Sequence, residues 1–253
     1  MIEEPYRWVE AIANRREYIE TQLASGSPIV ALSYAGGILL LTVGRQKLFE
    51  IYDRIALGAI GHPGDIERLR MAAIELASTE GFTRSAADVS LRRLAYYSLS
   101  PVMKNAFEQI YGAPFLARLL FVEIGASPGE DLFLGLEYDG AIRGGQPKEP
   151  NSRFAVLGGT KASAEQMEQF LRKEHRDGEE LSAAFQLALD AWTLGQSSVS
   201  ETGEIPARQQ LRELRKQRLE DGVIEAALLD RGINSAARYH ALTTTDLAKL
   251  TAN

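Results

Sequence analysis

The amino-acid sequence predicts an α+β fold in which two antiparallel β-sheets stack face to face and helices cover both outer faces. The prediction depends on the order of the predicted elements, which runs strands, two helices, strands, two helices along the 253-residue chain. Because each sheet has to bury both of its sides, blocks in this order fit two stacked sheets between two helical layers. A further amphipathic helix precedes the first strand, outside this minimal sandwich.

The leading helix is predicted at residues 5–24. Pro5 suits a first helical position, and apolar side chains recur along one face at four- and seven-residue spacing, at Trp8, Ile12, Ile19 and Leu23. Such a stripe needs a partner surface. The sequence leaves open whether that surface belongs to the same domain or to a neighbouring subunit.

Four strands follow and are predicted to form a meander. They lie at residues 28–34, 38–43, 47–52 and 54–60, and the first two are joined by a turn that contains Gly36-Gly37. The segment 61–64 interrupts the pattern because of its glycines. A helix capped by Asp65 or a neighbour comes next and ends near Gly81.

The second half of the chain repeats this alternation. Residues 87–111 predict a helical stretch that Pro101 should kink or split, because an interior proline removes a backbone hydrogen bond and clashes with the preceding turn. Strands are predicted at 114–124, 131–138, 154–157 and 223–229, and helices at 163–175, 179–195, 209–219 and near 245–250. Between them, residues 196–206 are rich in Ser, Thr, Gly and Glu, which predicts a mobile connector.

Composition argues against several classes of function. The chain has no cysteine, so a disulfide, a thiol nucleophile or a cysteine-ligated metal is ruled out. The net charge of −6 disfavours a phosphate-binding surface, and nucleic acid is not an expected partner. His62, His175 and His240 lack metal-ligand spacing, and no glycine pair fits a cofactor motif. The acidic residues near the N-terminus and the short apolar run at 28–43 predict a cytoplasmic protein without a membrane segment.

Several segments resemble successive landmarks of proteasome subunits. They are Gly36-Gly37 in the first turn, the string from Lys47 to Gly61, and Phe154-Ala-Val-Leu-Gly-Gly-Thr160. Tyr52-Asp53-Arg54, together with Gly81-Phe82, is similar to α subunits of actinobacterial-type proteasomes, and Glu225-Ala-Ala-Leu-Leu-Asp-Arg231 is similar to their final strand. The resemblance covers residues 5–231.

This resemblance implies a four-layer αββα sandwich of the N-terminal-nucleophile hydrolase type. Residues 1–24 would be a gate segment and ring-top helix, residues 25–231 the sandwich, and residues 232–253 a C-terminal tail. Seven copies would form the outer ring of a 20S core particle, next to rings of catalytic β subunits. Such a ring would gate substrate entry near Met1, Ile2, Glu3 and Glu4, support β-ring assembly and dock an AAA-type ATPase activator for protein degradation, without cleaving substrates itself.

A competing hypothesis makes the chain a self-processing peptidase or amidase of the same fold. Catalytic members of the superfamily use a Thr, Ser or Cys that becomes the first residue after self-cleavage, because its free α-amine then serves as the general base. Aligning the first strand with the pattern of β subunits places Ser27 at this position, after Gly26. Pro28 is an unusual neighbour for this chemistry, Val43 stands where an acidic partner is expected, and cleavage would discard the leading helix. A third hypothesis is a homo-oligomeric scaffold that has no β partner.

Lys47 is the residue to which the resemblance assigns activator binding. The matching lysine of proteasome α rings lines a pocket between adjacent subunits and pairs with the terminal carboxylate of the activator's C-terminal tail. Gly26 and Gly61 match small pocket-lining positions, and His62 stands where archaeal-type pockets have a leucine. The alternative for Lys47 is a strand lysine that points into solvent.

Overall fold

A computed structural model describes residues 4–109, 111–145, 153–197, 208–220 and 222–251 of the chain. The α-helices are α1 (Glu4–Leu23), α2 (Pro63–Thr83), α3 (Leu91–Arg93), α4 (Ser100–Glu108), α5 (Lys161–Glu174), α6 (Leu181–Gln196), α7 (Arg208–Leu219) and α8 (Thr244–Thr251). A π-helical segment at Leu94–Leu99 joins α3 to α4, and 3₁₀ turns lie at Ala86–Asp88 and Pro128–Glu130.

Ten described strands form two five-stranded antiparallel sheets. The first sheet has the order β10-β9-β2-β1-β8 and is built from β1 (Ile29–Tyr34), β2 (Gly37–Val43), β8 (Phe154–Leu157), β9 (Ile224–Asp230) and β10 (Tyr239–Ala241). The second has the order β3-β4-β5-β6-β7 and is built from β3 (Leu48–Tyr52), β4 (Ile55–Gly61), β5 (Ala117–Glu123), β6 (Leu132–Leu136) and β7 (Ile142–Arg143).

Three hydrophobic clusters separate the layers of the sandwich. One lies between the two sheets, a second between the first sheet and α5 to α8, and a third between the second sheet and α2 to α4. Alternate side chains of each strand therefore face a different cluster, as in Leu39 and Leu40 of β2. This arrangement confirms the predicted α+β sandwich with helices on both outer faces.

The predicted four-strand meander is wrong, because the first four strands form two hairpins in different sheets. Strands β1 and β2 pair with each other and fill the centre of the first sheet, where β9 occupies the other side of β2. After Val43 the chain crosses to the second sheet through residues 44–47, in which Gly44 and Gln46 adopt positive φ angles of 153° and 56°. With both edges of β2 occupied, β3 pairs only with β4 among the described strands.

Pro101 does not split the helical stretch: the backbone is helical without a break from Leu91 to Glu108, and only the type of turn changes. The predicted kink stays a prediction. The proline lies in the first turn of α4, directly after the π-helical segment. A wider π turn before a proline accommodates the missing backbone donor and the bulk of the ring. The predicted connector at 196–206 begins at the last residue of α6, and its residues 198–206 lie outside the described part of the chain.

The C-terminal part of helix α1 packs on the sandwich of its own chain. Ile19 and Leu23 are completely buried in the cluster between the sheets. Arg15 donates hydrogen bonds to the carbonyl oxygens of Ala106 and Phe107, at 3.2 and 2.9 Å, and so caps the end of α4. The sequence left open which surface covers the apolar stripe of α1. For the buried residues of that stripe, the surface is the sandwich of the same chain. Among the α1 residues whose side chains the structure describes, 7–23, the large apolar side chains of Trp8, Val9 and Tyr18 are exposed.

Candidate functional site

The carboxyl end of strand β4 brings together the four residues predicted to bind an activator tail, Lys47, Gly26, Gly61 and His62. Ala59 donates its backbone N–H to the carbonyl oxygen of Lys47 at 3.0 Å, which places the lysine beside this part of β4. Gly26 packs against Ile60, the residue that follows Ala59 in β4. A Cβ atom built on Gly26 would lie 2.1 Å from the Cγ2 atom of Ile60. Gly61 and His62 follow directly along the chain.

Both glycines of this cluster are required by the packing of the chain on itself. Gly61 has a φ angle of 143°, and a Cβ atom there would lie 2.0 Å from the carbonyl oxygen of Leu116. At Gly26 the space is taken by the Ile60 side chain, and the Gly26 N–H donates to the carbonyl oxygen of Leu23 at 2.9 Å. Their predicted role in admitting a tail backbone stays a prediction.

His62 is exposed and caps the N-terminus of α2. Its Nδ1 atom accepts a hydrogen bond from the Gly64 N–H at 3.2 Å, which satisfies one of the donors that a helix start leaves unpaired. An accepting Nδ1 places the proton of the neutral imidazole on Nε2. Asp65, the alternative cap, accepts instead from the N–H of Leu116 at 3.0 Å.

Lys47 is half-buried and lies at the junction between the two sheets. Its backbone N–H donates to both carboxylate oxygens of Glu225, at 3.2 and 3.1 Å. Burial lowers the pKa of the Lys47 ammonium, and the charge of Glu225 opposes this effect. Within the part of the chain that the structure describes, the ammonium makes no ion pair. A partly desolvated ammonium group of this kind can donate hydrogen bonds to a carboxylate of another molecule and form an ion pair with it.

Ser27, the nucleophile of the competing hypothesis, lies between α1 and β1. Its hydroxyl oxygen accepts a hydrogen bond from the indole Nε1–H of Trp192 at 3.0 Å. Use of Ser27 as a nucleophile would require cleavage of the peptide bond between Gly26 and Ser27, in the segment that joins α1 to β1. Val43, at the position of the expected acidic partner, is buried at the end of β2.

A buried charged network that the sequence analysis did not single out fastens α1 to the sandwich. Arg118 of β5 is only 4% exposed and makes ion pairs with Glu137, at 2.8 Å, and with Glu20 of α1. The same guanidinium donates to the carbonyl oxygens of Gly159, at 2.8 Å, and Gly158, at 3.3 Å. Burial opposes the charge, but the two carboxylates outweigh it and raise the pKa of Arg118.

The opposite end of this network is the Glu20 carboxylate. Tyr138 donates its hydroxyl proton to Glu20 at 2.7 Å. Although burial opposes ionisation of Glu20, the hydrogen bonds from Arg118 and Tyr138 hold its pKa below the ordinary value. A signal for the network was present in the sequence, because an arginine inside an otherwise apolar strand has to find partners when the strand is buried.

The described residues provide neither a metal-binding cluster nor a membrane-spanning helix. They contain no group of three or more His, Cys, Asp or Glu side chains placed to hold a metal ion. None of the described helices has both the length and the apolar character needed to cross a bilayer.

Two antiparallel sheets between helical layers, with an added helix inserted ahead of the first strand, define a sandwich of the proteasome-subunit type. No protein-family profile matches the chain. Individual protein sequences do match it. The chain is 30% identical to the proteasome subunit alpha of Parafrankia sp. (strain EAN1pec), over 88% of its own length and 84% of the relative's. It is 32% identical to the protein of the same name from Frankia casuarinae, over 74% and 75% of the two lengths.

A further relative, the proteasome subunit alpha of Streptomyces coelicolor, is 30% identical over 95% of this chain and 86% of its own length. Identity at this level over most of both chains establishes the family. The chain belongs to the family of proteasome α subunits.

Proposed function

We propose that the chain is a non-catalytic subunit of the outer ring of a 20S proteasome, which admits substrates to β subunits and docks an ATPase activator. Membership of the α-subunit family supports this function. The observation that carries it is the burial of Ile19 and Leu23, at the C-terminal end of α1, in the core between the sheets ahead of Ser27. A catalytic relative would need this position as a free N-terminus.

Cleavage ahead of Ser27 would break the covalent link to a helix whose C-terminal end packs in the core. Burial of an aliphatic side chain contributes about 1.5–3 kcal/mol, so Ile19 and Leu23, both buried, would account for roughly 3–6 kcal/mol between them. Measurement of the intact mass in every preparation tests the proposal, and the full-length mass is expected. A species that begins at Ser27 and reacts with a serine-directed covalent inhibitor would establish the peptidase instead.

Lys47 is the proposed contact for the terminal carboxylate of the activator. A charge-assisted hydrogen bond contributes about 1.5–3 kcal/mol, so we expect Lys47→Ala to weaken activator-stimulated degradation roughly tenfold to a hundredfold while rings still assemble. Arg45→Ala is the matched control, since Arg45 is an exposed cation in the same loop. Equal stimulation of wild-type protein and Lys47→Ala, in activator titrations, would show that the carboxylate binds elsewhere.

The gate is proposed at residues 1–4. Met1, Ile2 and Glu3 lie outside the described residues, and Glu4 begins α1. Deletion of residues 1–4 should raise the rate of hydrolysis of a short fluorogenic peptide by the assembled particle, without changing hydrolysis by isolated β subunits. An unchanged rate in the particle would mean that this segment does not close the pore.

Docking of the β ring is proposed on the helical layer formed by α2 to α4. Large exposed apolar side chains concentrate there, with Phe82 at 93% and Tyr97 at 82% exposure, and a groove of about 960 Å³ runs between α2 and the π-helical segment. We expect the double variant Phe82→Ser/Tyr97→Ser to form rings but to lose co-purification with the β subunit. If wild-type protein also fails to recover the β subunit, the scaffold hypothesis is favoured.

A further inference from the structure

The side chain of Glu225 links the two sheets through hydrogen bonds to the backbone at Lys47. Glu225 lies in β9 of the first sheet and is half-buried. Its carboxylate accepts the backbone N–H groups of Lys47, at 3.2 and 3.1 Å, and of Leu48, at 3.1 Å, where the chain enters the second sheet. One carboxylate therefore fixes the two amides that set the position of the lysine backbone.

The stem of the lysine is held from the other side by Gly44. A Cβ atom built on Gly44 would lie 2.9 Å from Cε and 3.1 Å from Cδ of Lys47, so the stem runs directly over the glycine backbone. Backbone and stem are thus both constrained, which limits the positions that the ammonium can take. Restriction of this kind lowers the entropy lost when a ligand binds.

We propose that Glu225 is a positioning and charge-tuning residue of the Lys47 site: its carboxylate fixes the lysine and weakens the lysine's attraction for an incoming carboxylate. The inference rests on the proposed function of Lys47. A site that combines one cation with one anion binds a further anion less tightly than the cation alone, because the two fields partly cancel. Such a site suits a tail that has to be released again.

The electrostatics around Lys47 agree with this arrangement. Burial raises the pKa of Glu225, while its hydrogen bonds from Leu48 and Lys47 and the nearby lysine charge counteract the rise. Tyr239 of β10 faces the pair and donates to the carbonyl oxygen of Leu48 at 3.3 Å. Burial, with the charges of Glu225 and Glu50, raises the pKa of Tyr239 to about 12, so the phenol stays neutral at physiological pH.

The coupling can be measured without any activator. Acylation of Lys47 by an N-hydroxysuccinimide ester, followed by mass spectrometry across a pH series, gives the pH midpoint of its reactivity. Glu225→Gln keeps an acceptor oxygen for the amides but removes the charge that supports the ammonium. The midpoint should fall by about half a pH unit to one unit, which means roughly threefold to tenfold faster labelling below the midpoint. Glu50→Gln, which removes an exposed charge from β3, is the control and should leave the midpoint unchanged.

Binding of an activator tail gives the second test. The probe is a synthetic octapeptide that matches the C-terminus of the ATPase from the same organism, used with a free carboxylate and with an amidated end. Glu225→Gln should tighten binding of the free carboxylate about twofold to tenfold, whereas Glu225→Ala, which loses the amide acceptor, should weaken it. A purely structural role predicts the same sign for both variants and would overturn the inference.

The two tests separate this inference from the proposed function. An unmoved labelling midpoint in Glu225→Gln, with normal peptide binding that still requires Lys47, refutes charge tuning alone. A shifted midpoint together with a peptide that binds wild-type protein and Lys47→Ala equally refutes the activator site, while the coupling between Glu225 and Lys47 stands.

Discussion

Replacement of Arg118 by methionine should loosen α1 from the sandwich. Arg118 is buried and donates to Glu137, to Glu20 of α1 and to the carbonyl oxygens of Gly158 and Gly159. Methionine fills much of the same volume but donates no hydrogen bond. The Arg118→Met variant therefore leaves the Glu137 carboxylate and both carbonyl groups without this donor, and it removes the ion pair that holds the C-terminal half of α1.

The size of the effect follows from the burial of each partner. Removal of one member of a buried ion pair costs about 3–5 kcal/mol, because the other charge stays desolvated. Glu20 is 41% exposed and adds at most about 1 kcal/mol. We expect unfolding to become easier by about 3–5 kcal/mol, a large part of the 5–15 kcal/mol that stabilises an ordinary domain.

Two measurements test this expectation. Urea denaturation gives the loss of stability, and hydrogen exchange followed by mass spectrometry shows whether the amides of α1 lose protection first. Arg143→Met is the matched control, because Arg143 pairs with the same Glu137 but its side chain is 44% exposed, so its loss should cost no more than about 1 kcal/mol. Equal destabilisation by the two variants, with unchanged exchange in α1, would refute the assignment of Arg118 as the anchor.

Three further predictions concern single positions. Gly61→Ala should destabilise the protein by about 2 kcal/mol or more, because the added methyl group meets the Leu116 carbonyl at a positive φ angle; an unchanged melting temperature would contradict this. Burial opposes ionisation of Glu20, but its hydrogen bonds keep its pKa below 4.5, so its contribution is present above that pH and lost as the pH falls further, which exchange in α1 at pH 6 and pH 4 should reveal. Ser27→Ala should cost about 1 kcal/mol, since the Trp192 indole loses its acceptor, and should leave the intact mass otherwise unchanged.

Elements with a strong local pattern could be predicted from the sequence. The hairpin of β1 and β2 has two apolar runs around a glycine turn, and both strands are buried on their two faces. Helix α1 has an apolar stripe at helical spacing, and Ile19 and Leu23 of that stripe are indeed buried. In these segments the residues that fix the structure are neighbours in the chain, so their spacing contains the necessary information.

Pairing between distant segments could not be predicted in the same way. Nothing in residues 44–47 distinguishes a turn within one sheet from a crossing between two, because the choice depends on β9 occupying the free edge of β2. Strand β10 is only three residues long and exists through its pairing with β9. Its short sequence has no alternation long enough to indicate a strand.

The candidate site shows the same division. The resemblance predicted Lys47, Gly26, Gly61 and His62 as site residues. It did not indicate that Glu225, 178 residues away from Lys47, accepts the backbone N–H of the lysine. Spacing in the sequence says nothing about such a contact, since it arises where β9 of the first sheet meets the start of β3 in the second. Resemblance identifies positions, and the structure adds the partners that set their chemistry.

The position of α1 also sets the relation between this chain and a catalytic member of the superfamily. A free amine at Ser27 requires cleavage between α1 and β1, which breaks the covalent link that keeps Leu23 and the rest of α1 on the core. Dissociation of α1 after cleavage would expose two buried aliphatic side chains, about 3–6 kcal/mol, and would break the ion pair between Glu20 and Arg118. Arg118 would then keep only its contacts within the sandwich. A chain that used Ser27 as its nucleophile and released α1 would have to rebuild this part of its core, so the packing of α1 favours the proposed subunit over the peptidase.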